Sequence, residues 1–195
     1  PLGVQPDLSA WGKAIANGHP ISALLGSEKA RAAAASVYVT GSFWFQAVPM
    51  AAAVATLKLI RDTDYLERIV QTGRMLREGL EAQAAAHGFA LRQTGPVQMP
   101  QILFADDPDM RLGYAFAADA VRRGIYLHPY HNMFINSALT PDDVAATLDI
   151  TDSVLESLKR NRASLPPQSN LLVRARLEAQ AAASRASRHI PASVD

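Results

Sequence analysis

Read as a string of apolar and polar positions, the chain opens in short broken runs and continues in long periodic ones. From Pro1 to Gly26, Gly, Pro, Ser and Asn punctuate small apolar patches such as Ile21 to Leu25. That pattern predicts loops around one or two short buried strands. Ala30 to Ala35 suits a short helix, and Val37-Tyr38-Val39 an extended run turned by Thr40-Gly41-Ser42. Gln46 to Arg61 is apolar nearly all round, the mark of a buried helix. Asp62-Thr63-Asp64 offers a cap for a second helix reaching about Ala86, with Leu66, Ile69, Val70, Met75, Leu76 and Leu80 on one face. His87-Gly88 ends it.

Two strand candidates follow, Phe89 to Gln93 and Gln98 to Phe104, and then a helix over Asp109 to Arg123 stopped by Gly124. Ile125 to Leu127 and Met133 to Ile135 read as short strands around His128-Pro129-Tyr130-His131-Asn132. Thr140-Pro141-Asp142-Asp143 combines a hydroxyl cap, a proline at the first helical position and acids behind it, so a helix should run from there to about Arg162. Pro166-Pro167 breaks the chain, and Leu171 to Arg185 has the composition of a final frayed helix. Alternating helices and strands make the fold class mixed α/β. The expected organisation is 1–57 as the end of one domain, 58–163 as a second and 164–195 as a tail, partly helical or disordered.

Composition narrows the function classes. With 195 residues and 49% hydrophobic content, the chain can build one good core or one domain and part of another. A net charge of +1 gives no basic stripe for nucleic acid, since the fifteen arginines are scattered among acids. No cysteine is present, which rules out disulfides and thiolate metal sites and fits a cytoplasmic location. No apolar run approaches the roughly 20 residues that would span a bilayer. The start, Pro1-Leu2-Gly3-Val4, has no methionine and no signal-peptide pattern, which suggests a piece of something longer. Gly-x-Gly-x-x-Gly, the Walker lysine motif and the Gly-x-Ser-x-Gly elbow are all missing.

Lys13 is the first cationic side chain, set among the small residues Gly12, Ala14, Ala16 and Gly18. Partial burial would disfavour its charged form, and only a neutral amine attacks a carbonyl carbon. On composition alone, a solvated loop lysine is the simpler reading. The surrounding motif changes that. Pro6-Asp7, Gly12-Lys13, Gly18-His19-Pro20 and Ala23-Leu24-Leu25-Gly26 resemble the active-site segment of class III aminotransferases and glutamate-1-semialdehyde aminomutases, with its spacing intact. In that family the lysine binds pyridoxal 5′-phosphate (PLP) covalently as a Schiff base and shuttles a proton between the substrate carbon and the cofactor.

Two further stretches carry the resemblance. Thr40-Gly41-Ser42-Phe43-Trp44, followed by the alanine-rich helix, is similar to a segment that binds the cofactor phosphate of the other subunit in a homodimer. Ser42 aligns with its hydroxyl residue, with Thr40 close enough to be confused with it. A hydroxyl and N–H groups ahead of a helix suit an anion, although an ordinary helix cap is the plainer alternative. Gly124 to Asn132, with the Thr-Pro-Asp-Asp helix start after it, resembles a small-domain strand and turn near the substrate entrance. Trp44, Tyr130 and His131 are therefore candidate pocket walls. His128 and His131 invite a metal or acid–base reading, but without a third ligand they make a poor metal site, and a structural or substrate-shaping role is the better reading.

The resemblance implies fold type I of the PLP enzymes over about residues 1–163, and transamination from an amine to a keto acid such as pyruvate or 2-oxoglutarate. An intramolecular aminomutase or racemase shares the same lysine, and a small non-enzymatic helical protein with a chance lysine motif is the remote alternative. The family's acid partner for the pyridine nitrogen, its stacking ring and its own-subunit phosphate cup lie upstream of the lysine. Here the only acid before Lys13 is Asp7, at a structural position of the motif. The chain is thus expected to be a fragment, inactive alone.

Overall fold

The computed structural model describes residues 3–168 and 178–180, arranged as two compact units, Pro1–Leu66 and Glu67–Asp195. In the first, β1 (Leu8–Trp11) and β2 (Ala23–Gly26) form an antiparallel hairpin, with Leu8 opposite Gly26 and Trp11 opposite Ala23. Asp7 ties its open end. The Ser27 N–H donates to the Asp7 carbonyl at 2.8 Å, the Ser27 hydroxyl to Oδ1 at 3.0 Å, and Lys29 Nζ lies 3.3 Å from the same oxygen. This matches the structural place expected for Asp7. The strands themselves are mostly exposed, not buried.

Beyond α1 (Arg31–Ser36), Val37 to Val39 pair with no strand among the described residues. α2 (Ala47–Asp62) forms where expected, but its burial differs from the expectation. Only Pro49 and Ala53 are buried, while Val48 is 64% and Leu57 51% exposed. The element that packs on it in this unit is the 3-10 turn Lys13–Ala16, which buries Ala16 completely. An all-round apolar sequence reports what a helix can pack against, and the single turn here covers one stripe of it.

The second unit is built on α3 (Tyr65–Ala86), α4 (Arg111–Arg122) and α5 (Pro141–Asn161). Ile69, Leu76, Leu80 and Ala84 bury one face of α3, whereas Leu66 and Met75, expected on that face, are exposed. Leu80, Val144, Thr151, Val154 and Leu155 are the largest fully buried side chains. The buried Thr151 is satisfied: its hydroxyl meets Gln83 Oε1 at 2.9 Å, while Gln83 Nε2 donates to the Leu148 carbonyl at 2.8 Å. That network joins α3 to α5 through polar groups that burial would otherwise penalise. Phe104 packs edge-on with Phe89 and Phe116, centroids 5.5 and 5.6 Å apart. Glycine permits two close approaches. A Cβ on Gly73 would overlap the Val97 carbonyl, and one on Gly79 would come within 2.7 Å of Leu148 Cδ2.

The sheet is smaller than the apolar runs suggested. β3 (Leu91–Arg92) and β4 (Leu103–Phe104) pair antiparallel, Leu91 opposite Phe104. Bonds from Met133 N–H to the Pro100 carbonyl (2.8 Å) and Ile135 N–H to Gln98 (3.0 Å) continue the pairing without a full ladder. Pro96 and Pro100 lack the N–H groups a ladder needs. Ile125 N–H is spent on the Ala120 carbonyl at the end of α4, which keeps that run out of the sheet. The helix suggested for Leu171 to Arg185 lies largely outside the described residues; 178–180 are helical. Among the described residues no helix is long and apolar enough to cross a membrane.

The start of α5 follows its sequence signal. Asp143 N–H donates to Thr140 Oγ1, and Thr140 N–H donates to Asp143 Oδ2 at 2.8 Å, a reciprocal capping box with Pro141 next to the cap. The Thr140 hydroxyl, with help from its backbone N–H, holds the Asp143 carboxyl below its ordinary range. A depressed carboxylate stabilises the fold above its unfolded pKa and loses that contribution as pH falls through the folded value. Asp143→Asn should therefore lower stability at neutral pH, with the gap from wild type closing on acidification below about 4. Urea unfolding of both proteins across that range checks it.

α4 uses a less visible cap. Asp107 accepts from the N–H groups of Leu112 (3.0 Å) and Gly113 (2.8 Å), satisfying two open donors of the first turn. Burial pushes its carboxyl up against the opposing pull of those two bonds.

Candidate active site

The hairpin places Lys13. Gly12 leaves β1 in an extended conformation, and the 3-10 turn begins at Lys13 itself. Lys13 has φ 52°, in the left-handed region, and Asn17 (φ 45°) and Gly18 (φ 103°) then swing the chain back towards β2. For a side chain with a Cβ, that region costs roughly 1–2 kcal/mol. Such strain persists where the surroundings over-determine it, often at functional positions. The turn is closed by Ile15 N–H to Gly12 O (3.2 Å), Asn17 N–H to Ala14 O (3.1 Å) and His19 N–H to Ala16 O (3.2 Å). Fully buried Ala16 anchors the turn on α2.

Lys13 is exposed, contrary to the partial burial expected of it. Burial depends on what surrounds a side chain, and the near neighbours here are two short strands and a turn of small residues. Nothing in that turn crowds the amine: Gly12 and Ala14 flank it, and the nearest atom to a Cβ built on Gly12 is Ser22 Cβ at 3.9 Å.

Thr40 and Ser42 are both exposed, in the segment that leads into α2. Ser42 is not the cap of that helix. The cap position is Gln46, and no side chain bonds there. The turn over 42–45 uses the Trp44 N–H on Gly41 O (3.3 Å) and the Gln46 N–H on Phe43 O (3.4 Å). Trp44 folds its indole back over Gly41, where a Cβ would overlap it. Pro49 removes one donor from the first turn of α2, so a hydroxyl is a useful supplement for any anion held there.

In the second unit, Tyr130 and His131 stand on the turn after Leu127, Tyr130 partly buried and His131 exposed. His128 Nδ1 accepts the N–H groups of Tyr130 (3.3 Å) and His131 (2.9 Å), and Gln101 Nε2 donates to the Tyr130 carbonyl at 2.7 Å. Tyr114, from α4, lies 6.0 Å centroid to centroid from Tyr130 and shares a side-chain hydrogen bond with it. Burial first, then Tyr130, pushes the Tyr114 hydroxyl up. Sequence reasoning missed Gln101 and Tyr114, which are distant along the chain, and read His128 as structural or substrate-shaping without showing which backbone groups it meets.

The pattern of the family described as aminotransferase class-III matches residues 1–156. This chain belongs to the class-III aminotransferases. Among relatives of this class-III chain, an aminopentol aminotransferase of Sphingopyxis macrogoltabida is 60% identical over 171 residues, 88% of this chain and 40% of that protein. A glutamate-1-semialdehyde 2,1-aminomutase of Desulfitobacterium hafniense is 32% identical over 170 residues, again 40% of its length. The class-III chain thus spans about 40% of the curated relatives it matches. The FumI protein of Sphingopyxis sp. MTA144, solved in its PLP internal aldimine form, superposes with a TM-score of 0.82 at 61% identity, over 85% of this chain and 40% of that one. An omega-transaminase from Sphaerobacter thermophilus shares the fold at 24% identity, TM-score 0.71, over 81% of this chain and 40% of its own. The class-III fold is that of the PLP-dependent aminotransferases, fold type I.

Proposed function

We propose that the protein to which this chain belongs is a PLP-dependent transaminase that carries the amino group of a hydroxylated primary amine to a keto acid such as pyruvate or 2-oxoglutarate. The observation that carries the reading is the lysine held in left-handed backbone at the head of an otherwise small-residue hairpin turn. The aminopentol aminotransferase, 60% identical, supports the choice of a hydroxylated amine. The first unit is assigned to the end of the cofactor-binding domain, and the second to the small C-terminal domain.

PLP, when bound, supplies an electron-withdrawing ring that acidifies the substrate's C–H bond. The rest is done by side chains of the protein. Lys13 holds the cofactor covalently through its neutral amine. Once the substrate amine had taken that place, the freed Nζ would take the proton from the substrate's amine-bearing carbon and deliver it to the cofactor carbon on the other side of the shared nitrogen. Ser42, with Thr40 beside it, would donate hydrogen bonds to the phosphate of the PLP held by a second copy of the chain in a homodimer. Trp44 in the first unit, and Tyr130 and His131 in the second, are each proposed as substrate-contacting side chains. The lack of cysteine fits a reducing compartment, and the cytoplasm is the proposed location.

The second reading, an intramolecular aminomutase, draws on the 32% identical relative. Acceptor dependence separates the two. With the amine alone, the PLP-loaded full-length enzyme should release one equivalent of carbonyl product per site and stop, and pyruvate or 2-oxoglutarate should restart it. Sustained isomerisation without a keto acid points to the aminomutase.

A further inference from the structure

We propose that Asn17 is a site of self-modification: the Gly18 backbone nitrogen closes on the Asn17 side chain, and the isoaspartate that results disables the Lys13 turn. The loss of activity rests on the reading above that Lys13 carries the chemistry; the modification itself does not. Asn17-Gly18 is the one Asn-Gly pair in the 195 residues. Asparagine cyclises readily only when the next residue leaves its nitrogen open to approach, and glycine, with no Cβ, does so best. The local structure adds to this. Both residues are exposed. Asn17 stands in left-handed backbone at φ 45°, Gly18 has φ 103°, and a Cβ built on Gly18 would meet no atom within 4 Å. Among the described residues, neither the Asn17 carbonyl nor the Gly18 N–H takes part in a hydrogen bond, and nothing holds the Asn17 amide. The peptide unit joining the two can therefore swing between its neighbours. Asn136 is the contrast: Ser137 follows it, and its Oδ1 accepts the Ala138 N–H at 3.0 Å.

The chemistry needs only water and a base. The Gly18 nitrogen gives its proton to solvent and attacks Asn17 Cγ. A new N–Cγ bond closes a succinimide ring, and the side-chain nitrogen takes up a proton and leaves as ammonia. Water then opens the ring. Cleavage of the N–Cγ bond leaves an ordinary aspartate at position 17, and cleavage of the bond to the main-chain carbonyl leaves isoaspartate, with the chain routed through the side chain. That route lengthens the backbone by one carbon and puts a carboxylate where an amide stood. The extra carbon falls inside the turn that the His19 N–H closes on the Ala16 carbonyl at 3.2 Å, while Ala16 is fixed by its burial against α2. Lys13 begins the same turn. The strain must therefore be taken up by the closing bond and by the residues that carry Lys13.

The test ages the full-length, PLP-loaded enzyme at mildly alkaline pH, which favours loss of the Gly18 proton, beside a sample kept weakly acidic. Mass mapping after digestion in acid should find an NH2-to-OH exchange on the peptide carrying Asn17 and not on the one carrying Asn136. An isoaspartyl methyltransferase should label the same peptide. Each converted molecule should turn over about 10²-fold more slowly, the cost of a misplacement of about 1 Å, so kcat of the sample should fall in step with the converted fraction. Asn17→Gly suits φ 45° and has no side-chain amide, so it should keep whatever activity it starts with through the same treatment. A synthetic peptide of residues 14–29 is the control. Conversion in that peptide with none in the enzyme would overturn the proposal, because the native turn would then withhold the geometry. Conversion with kcat unchanged, or an equal decline in Asn17→Gly, would overturn the disabling of the turn. Failure of the transaminase reading shows separately, as a cofactor not attached to Lys13, and leaves the mass readout at Asn17 standing.

Discussion

Lys13→Ala is expected to cut turnover by at least about 10²–10⁴-fold, the range that a positioned proton-transfer group contributes. The loss should exceed that of any pocket substitution, because the same amine is also proposed to anchor the cofactor. Steady-state kinetics of the full-length protein would show a collapse of kcat, not a rise in KM, since the interaction removed belongs to the transition state. Folding should survive. Lys13 is exposed and its turn is anchored by Ala16, so no core contact is lost. Alanine inherits the left-handed backbone at φ 52° and gains nothing there, whereas Lys13→Gly relieves the strain and should be slightly the more stable of two inactive variants. That pairing of higher stability with lost activity is what a strained catalytic position predicts.

Leu80→Ala carries the largest expected effect on stability. Leu80 is 0% exposed in the middle of α3 and sits in the core with Val144, Val154 and Leu155. Removing its side chain forfeits the burial of the deleted atoms and leaves a cavity, about 2–5 kcal/mol together. The site has little room to collapse, because Gly79 beside it already brings α3 against Leu148. Chemical unfolding should show a lower midpoint with the slope unchanged. A loss under about 1 kcal/mol would mean that the second unit is more plastic than its packing indicates.

The sequence revealed some of this fold and not the rest, for physical reasons. Helices were legible because their signals are local. The Thr140 capping box and the period of Ile69, Leu76 and Leu80 need no distant partner to be recognised. The fate of α2 was not legible, since an apolar surface says nothing about what covers it. The second strand was overestimated because the apolar run from Gln98 to Phe104 continues through Pro100, which has no N–H to give a ladder. Asp107 as a cap for α4 was equally hidden, standing several residues before the helix it serves.

The candidate site divides along the same line. Lys13, Thr40, Ser42 and Trp44 were found through contiguous motifs, and the geometry adds the left-handed backbone of Lys13 and the finding that Ser42 does not cap α2. Tyr130 and His131 were singled out as well, but their supports came only from the fold. Tyr114 and Gln101 reach the turn from other elements, and His128 accepts the backbone N–H groups of Tyr130 and His131.

The most direct test is reductive trapping. Borohydride added to the yellow, PLP-loaded full-length protein should bleach it and fix the cofactor irreversibly, and peptide mapping should find the phosphopyridoxyl mass on Lys13. A label found on Lys29, Lys58 or Lys159 instead, or persistent covalent attachment in Lys13→Ala, would contradict the account at its foundation.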